Sequence, residues 1–398
     1  MLNSSSAIPV YVDSCDPVGD NREGSLRSVE AGNMAWRGCF LRWTKGDILI
    51  STTRGNRSPL GYQQRCGFRK ALKKTEAKKE GVEDVGLKQL VKPLVFTVGF
   101  TGCSFGTAAI WQYESLKWRV QSYVDETRAE WLGKLHPQTQ DDDQKQNEDD
   151  TVYWHRWWNR LSDFQKQAIA ILFQVNQWWD NLTQGQRTVS GIIAVNALVF
   201  CCWRIPSLQR TMIKYFTSDP ASKALCFPMI LSTFSHYSLL HMGANMYVLW
   251  SFSSSIVSLL GPEQFMAVYM SAGVISTLVS YVSKTATGRL GPSLGASGAI
   301  MAVLAAVCTK MPEAKLGIIF LPMLTFSAGN ALKAIIAMDT AGLVFGWRIF
   351  DHAAHLGGAL FGVWYIAYGH KLIWKNREPL VKMWHDLRTK GPGGGGAL

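Results

Sequence analysis

Polar and apolar positions divide this 398-residue chain into two unlike parts. From residue 224 onward charged side chains vanish for long intervals. Residues 224–262 hold no Lys, Arg, Asp or Glu, and neither do 264–283, 290–309, 316–332 and 352–370. A helix needs about 20 apolar residues to cross a bilayer, so these runs predict membrane spans, and the first leaves room for a helix plus a membrane-entering loop. Two further spans are predicted upstream, at 93–113 and at about 188–206, the second ended by Arg204 and Pro206. The 316–347 stretch reads as one helix with a re-entrant or strand-like lead-in. The pattern therefore predicts an all-α, polytopic membrane protein with seven spans arranged one plus six. Its parts are an N-terminal extension (1–92), an extra transmembrane helix (93–113), a polar linker (114–187), a six-helix core (188–370) and a basic tail (371–398).

Composition hides this division. The mean hydropathy of +0.01 averages a polar front third with a core, residues 191–370, that carries only 10 basic and 5 acidic side chains. The net charge of +12 is equally uneven, because residues 34–93 alone hold 14 basic against 5 acidic residues. Residues 34–79 have 12 Lys and Arg, only Asp47 and Glu76 as acids, and hydroxyls at Ser51, Thr52, Thr53 and Ser58. Basic, hydroxyl-rich and acid-poor is the composition of a mitochondrial transit segment, which points to the mitochondrial inner membrane. A solvated tail or a lipid-headgroup patch would carry the same charges. The first 33 residues are acidic instead, and Met34 reads as an alternative start. The positive charge belongs to a targeting arm and the membrane edge, so no nucleic-acid partner is expected. An imported N-terminus and seven spans put the C-terminus in the intermembrane space, although the basic tail argues the other way.

The linker contains an acidic stretch from Asp141 to Asp150 and a repeat with a period of 21. Trp157-Trp158-Asn159-Arg160-Leu161-Ser162 returns as Trp178-Trp179-Asp180-Asn181-Leu182-Thr183. Paired Trp beside polar neighbours suits a membrane–water interface, and two interfacial helical turns are expected here. The eight Cys form no C-x-x-C pair, so neither a disulfide framework nor a zinc ribbon is indicated.

Polar side chains inside spans are costly, which makes them candidates for function. Three clusters stand out. Gly295-Ala296-Ser297-Gly298 opens an apolar helix and leaves the Ser297 hydroxyl open to close approach. Asp351-His352-Ala353-Ala354-His355 leads into Gly358 and Gly362, a G-x-x-x-G face that allows close helix packing beside His355. Together a serine and a histidine can act as nucleophile and general base. Ser235-His236 is followed by His241 and Asn245, which share one helix face and could donate to an oxyanion. Taken singly, each cluster also reads as a structural polar contact.

Their conjunction is more informative. H-x-x-x-N, G-x-S-G and A-H-x-x-G-x-x-x-G, in that order on three spans, resemble the rhomboid family of intramembrane serine proteases. The likeness runs from about 90 to 390 and is strongest to a mitochondrial branch of the family that has the one-plus-six arrangement. The acidic first 33 residues and the duplicated Trp segment do not resemble it closely. The resemblance implies a catalytic dyad of Ser297 as nucleophile and His355 as general base and acid, with no third carboxylate. His241 and Asn245 would stabilise the oxyanion, and Gly295, Gly298, Gly358 and Gly362 would pack the helices at the site. It further implies single-pass transmembrane protein substrates, cut at small residues near a locally unwound stretch, with lipid as the surroundings and no cofactor. Two positions depart from the pattern: Met301 stands where bacterial relatives place a Tyr that stacks on the histidine, and Asp339 is an intramembrane acid without a role. Three other readings compete. One is an inactive rhomboid-like protein that binds and escorts membrane segments. The second is a metal peptidase using Asp351, His352, His355, His236 and His241, which lacks the H-E-x-x-H pair. The third is a transporter, which would show an inverted repeat.

Overall fold

A computed structural model describes residues 87–135, 153, 155–318 and 321–390. The proposed targeting arm, the alternative start, the acidic stretch 141–150 and the last eight residues lie outside them. Helix α1 (Val91–Leu135) is followed by α2 (Asp163–Asp180), α3 (Gln184–Cys202), α4 (Gln209–Tyr215), α5 (Cys226–Leu231), α6 (Leu239–Leu260) and α7 (Pro262–Thr287). Then come α8 (Ser297–Lys310), strands β1 (Lys315–Ile318) and β2 (Leu321–Ser327), α9 (Ala328–Phe345), α10 (His352–Trp364) and α11 (Glu378–Lys390). A π-helical segment, Tyr365–Trp374, continues α10. The apolar helices are α1 and, as a core of six, α3 and α6 to α10.

Four of these, α1, α3, α7 and α9, are long and apolar enough to cross a bilayer by length and composition. Helix α6 has the length, at 22 residues, but is rich in serine. Several of its hydroxyls bond within the helix, with Ser251 donating to the Tyr247 carbonyl at 2.8 Å and Ser253 to that of Trp250 at 2.6 Å, while Ser254 bonds the Thr183 hydroxyl at 2.8 Å. Helix α8 is short, with 14 residues. It therefore spans about 21 Å, less than the roughly 30 Å of hydrocarbon. Lys310 in its last turn marks the end that reaches the interface, which leaves Ser297, at the other end, below the opposite surface.

The polar linker is more helical than two interfacial turns. Helix α1 runs to Leu135 without a break at 113. The 21-residue repeat produces twin helix starts. Ser162 accepts from the Gln165 N–H while its own N–H donates to Gln165 Oε1, and Thr183 and Gln186 form the same capping box. Each Trp pair thus lies just before a helix stop followed by a cap, because Ser/Thr with Gln three residues on satisfies two of the four N–H groups a helix start leaves open. Arg187 folds back onto the carbonyls of Trp179 and Asp180 and so ties the two helices together.

The strand-like lead-in is a two-stranded antiparallel hairpin that pairs Lys315 with Ser327 and Leu316 with Phe326. The six core helices otherwise fall on the predicted spans, although α6 begins only at Leu239 and α8 only at Ser297. Helix α7 is the most enclosed of the four candidate spans, burying Phe265, Val268, Tyr269, Ala272 and Tyr281. Helix α1 packs along one side of α7, and Phe105 on α1 stacks on Tyr365 with ring centroids 5.3 Å apart. On the outer side, α11 clasps the far part of α1: Trp384 donates to Glu114 at 2.9 Å, Arg388 pairs with Glu114, and Tyr113 bonds His385 at 2.6 Å.

Candidate active site

Helices α8 and α10 form the most extensive helix pair in the fold. The reason is in their small residues. A Cβ placed on Gly358 would strike the Gly298 carbonyl oxygen, and one on Gly362 would strike that of Ala302. The two glycines, four residues apart, therefore press on two carbonyls four residues apart, and no larger side chain would permit this separation. Gly298 in turn lies against Ser276 of α7. The site is built at the ends of this pair, because Ser297 opens α8 and His355 sits in the first turn of α10.

The strand of chain leading to Ser297 is pinned at three points. Ser293 and Ser218 exchange backbone hydrogen bonds, the Gly295 N–H donates to the Ser232 carbonyl at 2.9 Å, and the Ala296 N–H donates to His236 Nε2 at 3.3 Å. Gly295 has φ 134°, in a region that favours glycine, and a Cβ there would lie 2.9 Å from His241 Cε1. Glycine thus permits both the turn and the approach of the His241 ring. At the head of α10, Asp351 accepts from the Ala354 N–H at 3.1 Å and from Ser280 at 2.6 Å. Its carboxylate also pairs with Lys284 at 3.1 Å.

Ser297 Oγ lies 2.8 Å from His355 Nε2. If Nε2 accepts the serine proton, the ring's single hydrogen is on Nδ1. That nitrogen is 3.3 Å from Asp339 Oδ1, which also receives His352 Nδ1 at 2.7 Å. Asp339 is 1% exposed, and its second oxygen, like His352 Nε2, has no hydrogen-bond partner among the described residues. Phe350 covers His355, with ring centroids 5.9 Å apart and planes at 33°. An acid and an aromatic from outside α8 therefore flank the imidazole, and Met301 packs against the apolar cluster of Ala305, Cys308 and Leu332.

Ser297, His355 and His241 line one cavity of about 680 Å³. Asn245 is not among its walls. Its Nδ2 donates to the His241 carbonyl at 3.0 Å and to His236 Nε2 at 3.2 Å, so both amide hydrogens are engaged. His236 Nε2, accepting from Asn245 and from Ala296, stands between α6 and the chain that carries Ser297. Being an acceptor twice over, that nitrogen carries no proton, and His236 is neutral in this arrangement. The first N–H groups of α8 have no acceptor within the helix, so the helix start adds donors beside Ser297.

In the sequence Asp339 and His236 stand out without a part in the dyad, and Phe350 does not stand out at all. The structure sets Asp339 and Phe350 beside His355, and His236 beside the chain that carries Ser297. A signal for Asp339 existed: His352 and His355 are three apart, so they share a helix face, and a buried acid is the natural partner for such a pair.

Comparison with known proteins places this site in a family context. Residues 224–372 match the family model described as "Rhomboid domain". The chain is 59% identical over 393 residues to "Presenilin-associated rhomboid-like protein A, mitochondrial" of Danio rerio, covering 91% of this chain and 100% of that protein. It is 61% identical over 365 residues to "Presenilin-associated rhomboid-like protein, mitochondrial" of Homo sapiens, covering 86% and 89%. "Rhomboid protein 1, mitochondrial" of Saccharomyces cerevisiae is 35% identical over 198 residues, or 49% of this chain and 57% of that protein.

Proposed function

Because the chain belongs to the rhomboid family, we propose that it is an intramembrane serine protease of the mitochondrial inner membrane. It hydrolyses peptide bonds in or beside the transmembrane helix of single-pass proteins. The observation that carries this reading is the 2.8 Å approach of Ser297 Oγ to His355 Nε2, in a cavity of about 680 Å³ at the start of a short helix.

In the proposed reaction Ser297 Oγ attacks the scissile carbonyl carbon as its proton passes to His355 Nε2. The carbonyl oxygen becomes an oxyanion, met by the Ser297 N–H at the start of α8 and by His241. The C–N bond then breaks, and His355 returns its proton to the leaving amine. Water, deprotonated by the same imidazole, hydrolyses the acyl-enzyme and restores Ser297. Asp339 orients His355 through Nδ1 and stabilises its charged form, and Phe350 limits tilting of the ring. Asn245 joins the oxyanion site when substrate displaces one of its two hydrogen bonds, and in the resting state it braces His236 and α6. A helical substrate shields its peptide bonds by its own hydrogen bonds, so the cleaved stretch is locally unwound. Entry is through α9 and its hairpin, since α9 is among the least enclosed of the core helices.

The test is cleavage of a labelled single-span substrate by the full chain in lipid vesicles. Ser297→Ala and His355→Ala are each expected to abolish turnover, and parental rates in either would defeat the dyad. Substrate retention by a parent chain that never cleaves would instead favour an escort function.

A further inference from the structure

The cavity above Ser297 has a second character besides its catalytic floor. Its rim carries three cations, Lys284, Arg289 and Arg348, and one anion, Asp351. The anion is already engaged, since Asp351 pairs with Lys284 at 3.1 Å and also receives Ser280. Arg289 and Arg348 are both exposed, and no carboxylate faces either of them among the described residues. Arg289 comes from the turn after α7 and Arg348 from the turn after α9, and both line the cavity. Arg289 is held in place: its guanidinium lies against Gly346, the left-handed residue (φ 70°) that ends α9, where a Cβ would be 2.5 Å from Nη1. The C-terminal end of a helix is a favourable seat for a cation. The lining also includes apolar side chains, among them Leu294, Leu343 and Phe350.

We infer that Arg289 and Arg348 form a specificity collar that receives a carboxylate side chain of the substrate close to the scissile bond. This inference rests on the protease reading and names its preferred substrates: transmembrane segments whose watery end carries Asp or Glu within a few residues of the cut. The apolar wall takes the last residues of the spanning segment, and the collar takes the acid that follows them. Two unpaired guanidinium groups at the mouth of a low-dielectric cavity raise the local concentration of an anionic segment and orient it. The Lys284–Asp351 pair contributes little to this selectivity, because its charges cancel.

The experiment compares two single-span substrates that differ only at the flank, Asp-Asp in one and Asn-Asn in the other. Cleavage is measured with the full chain in vesicles of phosphatidylcholine alone, so that no anionic lipid competes. The parent is expected to favour the acidic flank by about tenfold in kcat/KM, a preference that fades as salt is raised. Arg348→Gln is expected to bring the ratio close to one, and Arg348→Glu to reverse it in favour of the Asn-Asn flank. Arg289→Gln adds to the effect, but Arg348, which makes no packing contact of this kind, carries the test if that variant does not fold. Equal cleavage of both substrates by the parent, or an unchanged ratio in Arg348→Gln, overturns the collar and leaves the protease reading standing. If the preference appears only when anionic lipid is added, the guanidinium groups serve headgroups and the collar is likewise overturned. Cleavage of neither substrate overturns both readings.

Discussion

Asp339 Oδ1 lies 3.3 Å from His355 Nδ1, on the edge of the imidazole turned away from Ser297. An acid in that place holds the ring in the tautomer that leaves Nε2 free to accept. Asp339→Asn keeps the volume and removes the charge. It is expected to lower kcat about 10- to 100-fold, at or below the lower end of the roughly 100- to 10,000-fold that a general base itself contributes, with KM nearly unchanged. The bond to His355 is longer than that to His352, so the loss should fall below that of an undivided triad. A steady-state series on one substrate separates this from misfolding, which would lower the active fraction without singling out kcat per labelled Ser297.

Gly358 and Gly362 set the distance between α8 and α10, the helices that carry Ser297 and His355. Gly358→Ala is expected to force α8 and α10 apart, abolish cleavage, and cost at least 1–3 kcal/mol of stability as an overpacked contact. Gly191→Ala on α3, where nothing lies within 4 Å of the new Cβ, is the matched control. There the substitution should stabilise by about 0.4–1 kcal/mol. Thermal unfolding in one detergent, read beside activity, checks both.

His236 joins Asn245 to the Ala296 N–H. His236→Ala leaves that buried N–H without a partner, at a cost of about 1–3 kcal/mol, and frees the chain before Ser297. Both a lower melting temperature and slower acylation are expected. Asn245→Ala, if its amide reaches the oxyanion only in the reaction, should reduce kcat by more than its smaller effect on melting would suggest.

The contacts of α1 differ sharply in their expected worth. Phe105→Ala removes a buried ring from the main core and is expected to cost about 3–5 kcal/mol. Glu114→Gln breaks a partly exposed ion pair with Arg388 and should cost no more than about 1 kcal/mol. Denaturation curves that rank them the other way would mean the clasp, rather than the packed helix, holds α1.

The fold was legible because membrane spans announce themselves by the absence of charge. Ser297, His355 and His241 were legible because their spacing is short-range and their neighbours are glycines and alanines. What spacing cannot express is convergence between distant segments. Asp339 meets His355 across the turn that separates α9 from α10, and His236 reaches Ala296 across 60 residues. The same limit applies to Asn245: sharing a helix face with His241 says nothing of what its amide will meet, and it meets His236. The duplicated Trp segment misled for another reason. Aromatic pairs drew the eye, while the structural signal lay in Ser162 and Thr183 with their glutamines.

Phe105, Ala108 and Ala109 of α1 belong to the same buried cluster as Ala299, Ile300 and Ala302 of α8, joined through α7 and Tyr365. The first helix is therefore a wall of the chamber in which α8 is seated, although it contributes no atom to the cavity. A chain shortened to its six-helix core would expose a face made to be covered, with Phe105's place beside Tyr365 left open to lipid. Trimming the chain into that helix, beyond Val91, is therefore a dismantling of the fold.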